Sequence, residues 1–165
     1  MTDGLTCDEF LGGRIRLWQP RDGYRAGVDP VLLAAAVPAE RGQEVLELGC
    51  GAGAAILCLG VRVEGLALVG IELQRDYAAL ARQNSKENDV PLEVIEADLR
   101  NLPSELRQRL LRRLRHRPVV VAEIPAIKGT ITGSQALLVR GQGFANGYSI
   151  DITQNFCKFN RIAIQ

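Results

Sequence analysis

A glycine-rich loop that directly follows a short apolar segment constrains this chain more than any other feature of its sequence. Residues 44–53 read E-V-L-E-L-G-C-G-A-G, with glycine at every second position of the loop. Because glycine has no Cβ, such a loop lets the backbone come very close to a ligand. At the carboxyl end of the first strand of a parallel sheet, this is where nucleotide-like ligands bind. The segment therefore predicts a strand, a binding loop and, over 54–59, a helix packed on the sheet.

The rest of the chain up to residue 124 alternates between strand and helix patterns. Strands are predicted over 14–19, 66–72, 92–97 and 118–124, and helices over 30–37 and 76–88. This alternation predicts an α/β fold with a mostly parallel sheet that is covered on both faces. Asp29 and Pro30 form a good helix start, in which the Asp29 side chain caps free backbone N–H groups.

Composition narrows the class of protein further. The 165 residues are 47% hydrophobic and 24% charged, with a formal net charge of +1, as in an ordinary globular domain with a real core. No apolar run approaches the ~18 to 20 residues of a membrane span, so no membrane partner is expected. The four cysteines are scattered without a C-x-x-C pair, and there is one histidine. This usage predicts neither a metal site nor a disulfide framework, and it fits a reducing cytoplasm.

Acidic side chains follow the predicted strands at the edge of the sheet where the loop lies. Glu72 closes the second buried strand and Asp98 follows the third, while Glu47 precedes the glycines. Glu72 is placed to accept hydrogen bonds from ribose hydroxyls. A carboxylate beside the loop suits a cationic, methionine-like group better than a diphosphate. The glycine spacing also differs from the G-x-G-x-x-G of dinucleotide sites, so a nucleotide-dependent oxidoreductase is the less favoured alternative.

The loop resembles the first motif, E/D-x-G-x-G-x-G, of the class I S-adenosylmethionine-dependent methyltransferases. Residues 8–36, with the segment Q-P-R-D-G-Y-R-A-G-V-D, resemble the N-terminal signature of the bacterial tRNA(Val) adenine-N6 methyltransferase family. The likeness covers residues 8 to about 108. It implies a Rossmann-like methyltransferase fold, S-adenosyl-L-methionine as cofactor, tRNA as partner, and methyl transfer to an adenine amino group.

The same resemblance implies which residues bind the cofactor. They are Tyr24, Arg25, Glu47, Gly49, Cys50, Gly51, Gly53, Glu72, Leu73, Asp98 and Leu99. Asp29 would lie near the same pocket, or would only cap its helix.

The chain departs from the family at the fourth strand, where the family carries N-P-P-Y or N-P-P-F. Residues 121–126 read V-A-E-I-P-A, so Glu123 and Pro125 occupy catalytic positions of the motif without the stacking aromatic ring. We therefore expect residues 1–125 to form the cofactor-binding methyltransferase domain. We expect residues 126–165 to be an atypical tail and the sheet to be incomplete at its C-terminal end. A non-catalytic cofactor-binding fragment of a truncated or frameshifted gene is the alternative to an active methyltransferase.

A run of arginines over 100–117 is interleaved with leucines at every fourth position. The pattern predicts a basic amphipathic helix. Its arginines would either contact RNA phosphates or form a solvated helix face.

Overall fold

The computed structural model of the protein describes residues 4–113, 119–124 and 135–140. In chain order, the strands are β1 (Leu5–Phe10), β2 (Ile15–Pro20), β3 (Glu44–Leu48), β4 (Ala67–Glu72), β5 (Leu92–Glu96), β6 (Val119–Ile124) and β7 (Gln135–Arg140). The α-helices are α1 (Asp29–Ala36), α2 (Ala54–Arg62), α3 (Arg75–Glu87) and α4 (Ser104–Arg113), and a 3₁₀ turn spans Leu99–Asn101. The bounds predicted from the sequence for the strands and helices up to β6 lie mostly within two residues of these.

The main sheet has the strand order β5-β4-β3-β6-β7. Strands β3, β4, β5 and β6 pair in parallel, and β7 pairs antiparallel with β6. The chain builds outward from β3 through β4 to β5, then crosses back to place β6 on the other side of β3. This reversal is a topological switch point, outside which open α/β sheets bind their ligands. The α/β fold with a mostly parallel sheet is confirmed.

Side chains of β3 alternate between two separate cores, one on each face of the sheet. Val45 is fully buried with residues of α1 and α2, whereas Leu46 packs on the opposite face with Leu102 and Leu110 around α4. Burying each such side chain contributes about 1.5 to 3 kcal/mol. The two cores fix β3 from both sides, and with it the loop that follows.

Strands β1 and β2 form a separate antiparallel hairpin that was not fully foreseen. Only β2 was predicted, because L-T-C-D-E-F in β1 lacks a clean alternation of apolar and polar residues. The connecting turn has Leu11, Gly12 and Gly13 all at positive φ, the last two without the strain that a Cβ brings.

Two predictions about helix ends are wrong. Helix α1 has Val28 as its N-cap residue with no side-chain cap hydrogen bond, and Asp29 is an exposed first-turn residue. Its carboxylate still interacts favourably with the positive end of the helix dipole.

The basic run is not one helix from residue 100, since a 3₁₀ turn precedes Pro103 and α4 begins only at Ser104. Within α4, Leu110 is buried and Leu106 partly buried, so this leucine spacing does mark the packed face.

Candidate cofactor-binding site

A crevice of about 330 Å³ lies outside the carboxyl ends of β3, β4 and β5. Its size and largely apolar walls with a few polar groups are typical of sites for small molecules. The lining residues are Gln19, Tyr24, Ala26, Leu48, Gly49, Cys50, Gly51, Ala52, Ala54, Ile71, Glu72, Leu73, Gln74, Tyr77, Ala97, Asp98, Leu99 and Arg100.

The glycine loop is held against β4 by backbone hydrogen bonds. The amides of Gly49 and Cys50 both donate to the Ile71 carbonyl, at 2.8 and 3.0 Å. Gly51 lies at φ +54°, and a Cβ built there would meet nothing within 4 Å. Since Gly51 lines the crevice, a side chain at this position would project into open space rather than into protein. The loop thus leaves room for a ligand beside its backbone.

Glu72 joins the loop to the end of β4. It is 7% exposed, and its Oε2 accepts a hydrogen bond from the Gly51 amide at 2.9 Å. Its Oε1 accepts one from the Gln74 amide at 2.7 Å. A carboxylate has about four lone-pair positions, so Glu72 retains capacity to accept hydrogen bonds from a ligand in the crevice.

Cys50 forms part of the crevice floor. Its Sγ lies over Gly70 of β4, where a Cβ would come within 2.6 Å of the sulfur. Burial, and then the nearby carboxylates of Glu47 and Glu72, raise the pKa of the Cys50 thiol well above its usual range. The thiol is therefore protonated at neutral pH, and Cys50 acts as a small apolar wall residue rather than a nucleophile.

Asp98 organises the turn after β5. Its carboxylate caps the 3₁₀ turn by accepting from the Arg100 amide at 2.9 Å, and it pairs with the Arg100 guanidinium at 3.0 Å. Hydrogen bonds from the Arg100 side chain and backbone lower the pKa of Asp98. Asp98 therefore presents an ionised acceptor at the edge of the crevice.

The segment that follows β2 forms one rim of the crevice. Tyr77 of α3 donates its hydroxyl hydrogen to the Tyr24 carbonyl at 3.0 Å. Gln19 is 2% exposed, accepts from the Ala26 amide at 2.7 Å and donates to Asp8 at 2.9 Å. These bonds fix the backbone of 24–26, and the Tyr24 side chain stays exposed beside the opening.

Most of the residues singled out from the sequence come together here, but three do not line the crevice. Those that line it are Tyr24, Gly49, Cys50, Gly51, Glu72, Leu73, Asp98 and Leu99. Arg25 turns away, with its guanidinium 2.7 Å from Asp8 and 2.5 Å from the Thr6 hydroxyl. Gly53 lies at φ +89° as the N-cap residue of α2, and a Cβ there would press on Leu57 at 3.3 Å. Its role is to turn the chain into the helix.

Glu47 lies beneath the loop rather than in the crevice. It is 1% exposed, and its Oε2 accepts a hydrogen bond from the Ile56 amide at 3.1 Å. Ile56 is the third residue of α2, so Glu47 caps a helix whose N-cap residue, Gly53, has no side chain. Alternation along β3 explains the position, because Glu47 shares the face of Val45 and not that of Leu48, which lines the crevice. The expectation of a carboxylate facing a cationic ligand from this position is not met by the structure.

Sequence reasoning missed several lining residues, chiefly Gln19, Tyr77 and Arg100. Gln19 belongs to the upstream segment that carried the family resemblance, but its side chain was not interpreted. Tyr77 is the third residue of α3, the helix that follows Glu72. Its place at a helix start just after a strand end was the signal that could have indicated it. Arg100 was assigned to the basic helix, and its pairing with Asp98 depends on the 3₁₀ turn.

The candidate catalytic residues fall at the limit of what the structure describes. Glu123 lies in β6, one residue beyond Ala122, which pairs with Leu48. Because β6 is parallel to β3, the backbone of Glu123 is at the same edge of the sheet as the glycine loop. The side chain of Glu123 and all of Pro125 lie outside the described residues.

The described part of the chain contains no group of three or more His, Cys, Asp or Glu side chains arranged to hold a metal ion. None of its helices is long and apolar enough to cross a membrane.

Comparison with known proteins agrees with this fold. Residues 45–111 match a family described as a methyltransferase domain. The fold resembles M. jannaschii TYW2 in complex with AdoMet (14% identity, 73% of this chain and 64% of that one, TM-score 0.52). It also resembles the Pyrococcus abyssi tRNA (uracil-54, C5)-methyltransferase in complex with S-adenosyl-L-homocysteine (18% identity, 73% and 34%, TM-score 0.50). The chain therefore has the Rossmann-like fold of the class I S-adenosylmethionine-dependent methyltransferases, as its glycine motif indicated.

Within that class, the sequence is similar to a particular curated protein. It is 35% identical over 86 residues to the tRNA1(Val) (adenine(37)-N6)-methyltransferase of Yersinia enterocolitica. The match covers 52% of this chain and 32% of that protein, so the matching segment spans about a third of the relative. The resemblance found in the sequence is confirmed over this segment.

Proposed function

We propose that this chain binds S-adenosylmethionine in the crevice and is a methyltransferase that acts on the adenine amino group of tRNA. The observation that carries the cofactor proposal is the arrangement of Glu72. Its carboxylate is buried, bonded to the Gly51 amide across the loop, and lines the crevice.

The residues of the crevice fit such a cofactor. Glu72 would accept hydrogen bonds from the ribose hydroxyls. The open space beside Gly51 would admit the part of the ligand that lies against the loop backbone. Leu73 and Leu99 supply apolar surface for a flat base, and Asp98 supplies an acceptor at its edge. Tyr24 would cover the opening from the hairpin side. Glu47 supports this site from beneath by fixing the start of α2.

The bound cofactor would supply an electrophilic methyl group. Transfer of a methyl group to an amine is a direct displacement, which a protein accelerates mainly by positioning and by electrostatics. In this chain, Glu123 is at the same sheet edge as the glycine loop and could accept hydrogen bonds from an amine. The tRNA substrate is supported by the similarity to the tRNA1(Val) enzyme and by residues 8–36.

A second candidate is a protein that binds the cofactor without catalysis. The observation in its favour is the sequence V-A-E-I-P-A over 121–126, which lacks the aromatic residue that the family places against the base. At this side of the sheet, β7 pairs antiparallel with β6, whereas β3, β4, β5 and β6 run parallel to one another.

Two measurements test the proposal. Calorimetric titration with S-adenosylhomocysteine and, separately, with NAD should give binding only with the first, and the reverse result would contradict the cofactor assignment. Incubation with labelled S-adenosylmethionine and unmodified tRNA then separates the two candidates. Label in adenine supports the methyltransferase, and binding without any label supports the non-catalytic protein.

A further inference from the structure

The β1–β2 hairpin is attached to the rest of the protein by side-chain amides. Among the strands that the structure describes, β2 pairs only with β1, along one edge. On its other edge, the backbone N–H and C=O groups of Arg16 and Trp18 face α3. A free strand edge inside a protein needs partners for these groups.

Two asparagines one helical turn apart supply those partners. Asn84 accepts from the Trp18 amide at 2.8 Å and donates to the Trp18 carbonyl at 3.0 Å. Asn88 accepts from the Arg16 amide at 2.8 Å and donates to the Arg16 carbonyl at 2.7 Å. Arg16 and Trp18, two residues apart on β2, are thus each bonded by one of two asparagines that stand four residues apart at the C-terminal end of α3. The two amides replace a neighbouring strand.

Asn84 differs from Asn88 in a third contact. Its Nδ2 also donates to the Ala52 carbonyl, at 2.9 Å, in the middle of the glycine loop. Asn84 is fully buried, and both hydrogens of its Nδ2 are used. Asn88 instead sends its second hydrogen to the Asn84 carbonyl within α3.

The bond to Ala52 fixes the peptide plane between Ala52 and Gly53. The loop is also held by a turn bond from the Gly53 amide to the Cys50 carbonyl at 2.8 Å, and by the Ile71 carbonyl and Glu72 at the end of β4. Gly51 and Gly53 flank Ala52 at φ +54° and +89°. The turn bond holds the N–H of the Ala52–Gly53 peptide, and Asn84 holds its C=O from outside the loop. Because the flanking glycines move easily between left- and right-handed conformations, this second bond limits rotation of the peptide.

We propose that Asn84 is a positioning residue that sets the conformation of the glycine loop and couples it to the hairpin. The inference rests on the proposed function only in that the loop is taken as the cofactor site. The affinity for a ligand bound on the loop would then depend on the position of the hairpin, through the contacts of Asn84 with Trp18 and Ala52. Asn88 holds the same hairpin without touching the loop, so it separates the two roles.

Hydrogen exchange of the ligand-free protein tests the loop itself. Asn84→Ala should accelerate exchange of the Gly51 and Gly53 amides by about tenfold or more relative to β3 and β5, the effect of losing a buried hydrogen bond. Asn88→Ala should loosen β2 but leave the loop amides unchanged. Ser85→Ala is a second control, since it removes a buried bond to the Val90 carbonyl on the same helix. Equal loop exchange in Asn84→Ala and Asn88→Ala would overturn the proposal.

Titration with S-adenosylhomocysteine tests the consequence for binding. We expect Asn84→Ala to raise Kd about tenfold, corresponding to one hydrogen bond, and both controls to stay near wild type. If the wild-type protein binds no S-adenosylhomocysteine, the proposed function fails while hydrogen exchange still decides the role of Asn84. If the alanine variant does not fold, both measurements are repeated on Asn84→Ser, which leaves a smaller void than alanine does. If neither variant folds while both controls do, Asn84 is a general folding residue and the positioning role is refuted.

Discussion

At the scale of single residues, the crevice depends on where side chains are absent as much as on where they are present. Gly51 leaves space in the crevice, and Gly70 leaves space for the Cys50 sulfur beneath it. Glu72 and Asp98 then place two carboxylates at neighbouring strand ends, each already fixed by backbone amides. A ligand entering this site meets preorganised acceptors rather than mobile ones.

The first prediction concerns Gly51. Gly51→Asn should fold, because asparagine tolerates left-handed backbone better than most residues, and no atom opposes its Cβ. The new side chain should lower the affinity for S-adenosylhomocysteine by at least about tenfold, since it takes up space that the ligand needs. Gly12→Asn is a matched control, because Gly12 also has positive φ and an unobstructed Cβ position, but lies in the hairpin turn. Equal calorimetric affinities of the two variants would show that the ligand does not lie over Gly51.

The second prediction concerns the charge of Asp98. Folding lowers the pKa of Asp98, so this carboxylate adds stability above its unfolded pKa of about 3.9, and that contribution is lost as the pH falls through the lower folded value. Arg100→Ala should raise the pKa of Asp98 toward the ordinary value, because Arg100 supplies its chief hydrogen bonds. An NMR titration of the Asp98 carboxyl measures both values. Arg112→Ala, on an exposed residue of α4, should leave the Asp98 titration unchanged.

At the scale of elements, sequence patterns predict the type and bounds of a strand or helix that follows its own periodicity. They do not predict which side chains meet where two elements pack together. The buried runs of β3 and β4 and the helical spacing of α3 could be read directly. The position of Glu47 could not, because it depends on which face of β3 packs on α2. Likewise, the roles of Asn84 in α3 and of Asn88 at its C-terminal end could not be inferred, because they depend on the edge of β2 that lies beside them.

The third prediction concerns the start of α2. Glu47→Ala should lower the free energy of unfolding by about 1 to 3 kcal/mol, because the buried Ile56 amide loses its acceptor. Glu47→Gln retains a side-chain oxygen and should lose much less. Urea unfolding measures the stabilities, and S-adenosylhomocysteine titration should give similar affinities for the wild type and Glu47→Gln. A stable Glu47→Gln variant with tenfold weaker binding would return Glu47 to the role first expected of it, as a charge facing the ligand.

At the scale of the whole molecule, the segment that matches a methyltransferase domain and the segment that lacks the expected fourth-strand motif lie on opposite sides of β3. The matched residues 45–111 contain β3 from Val45 onward, β4 and β5 with the glycine loop, Glu72 and Asp98. Toward β6 and β7, the motif expected at the end of β6 is replaced, and the next strand runs antiparallel. The division at residue 125 remains a prediction from the sequence, made by comparing motif residues position by position. The sequence did not reveal β7, whose segment has little periodicity.

The last prediction follows from that division and concerns catalysis. The variant Glu123→Asn, Ile124→Pro, Ala126→Tyr introduces N-P-P-Y at the end of β6 while leaving the described crevice untouched. We expect both proteins to bind S-adenosylhomocysteine equally, because the three replacements leave the glycine loop, Glu72 and Asp98 unchanged. We expect the wild type to transfer label to unmodified tRNA slowly, and the variant to do so faster by up to about a hundredfold, the scale on which misplacement of reacting groups changes rates. The opposite outcome would be fast labelling by the wild type that Glu123→Ala abolishes. If Glu105→Ala, at an exposed residue of α4, leaves that labelling unchanged, Glu123 is the group that accepts the hydrogen bond of the adenine amine.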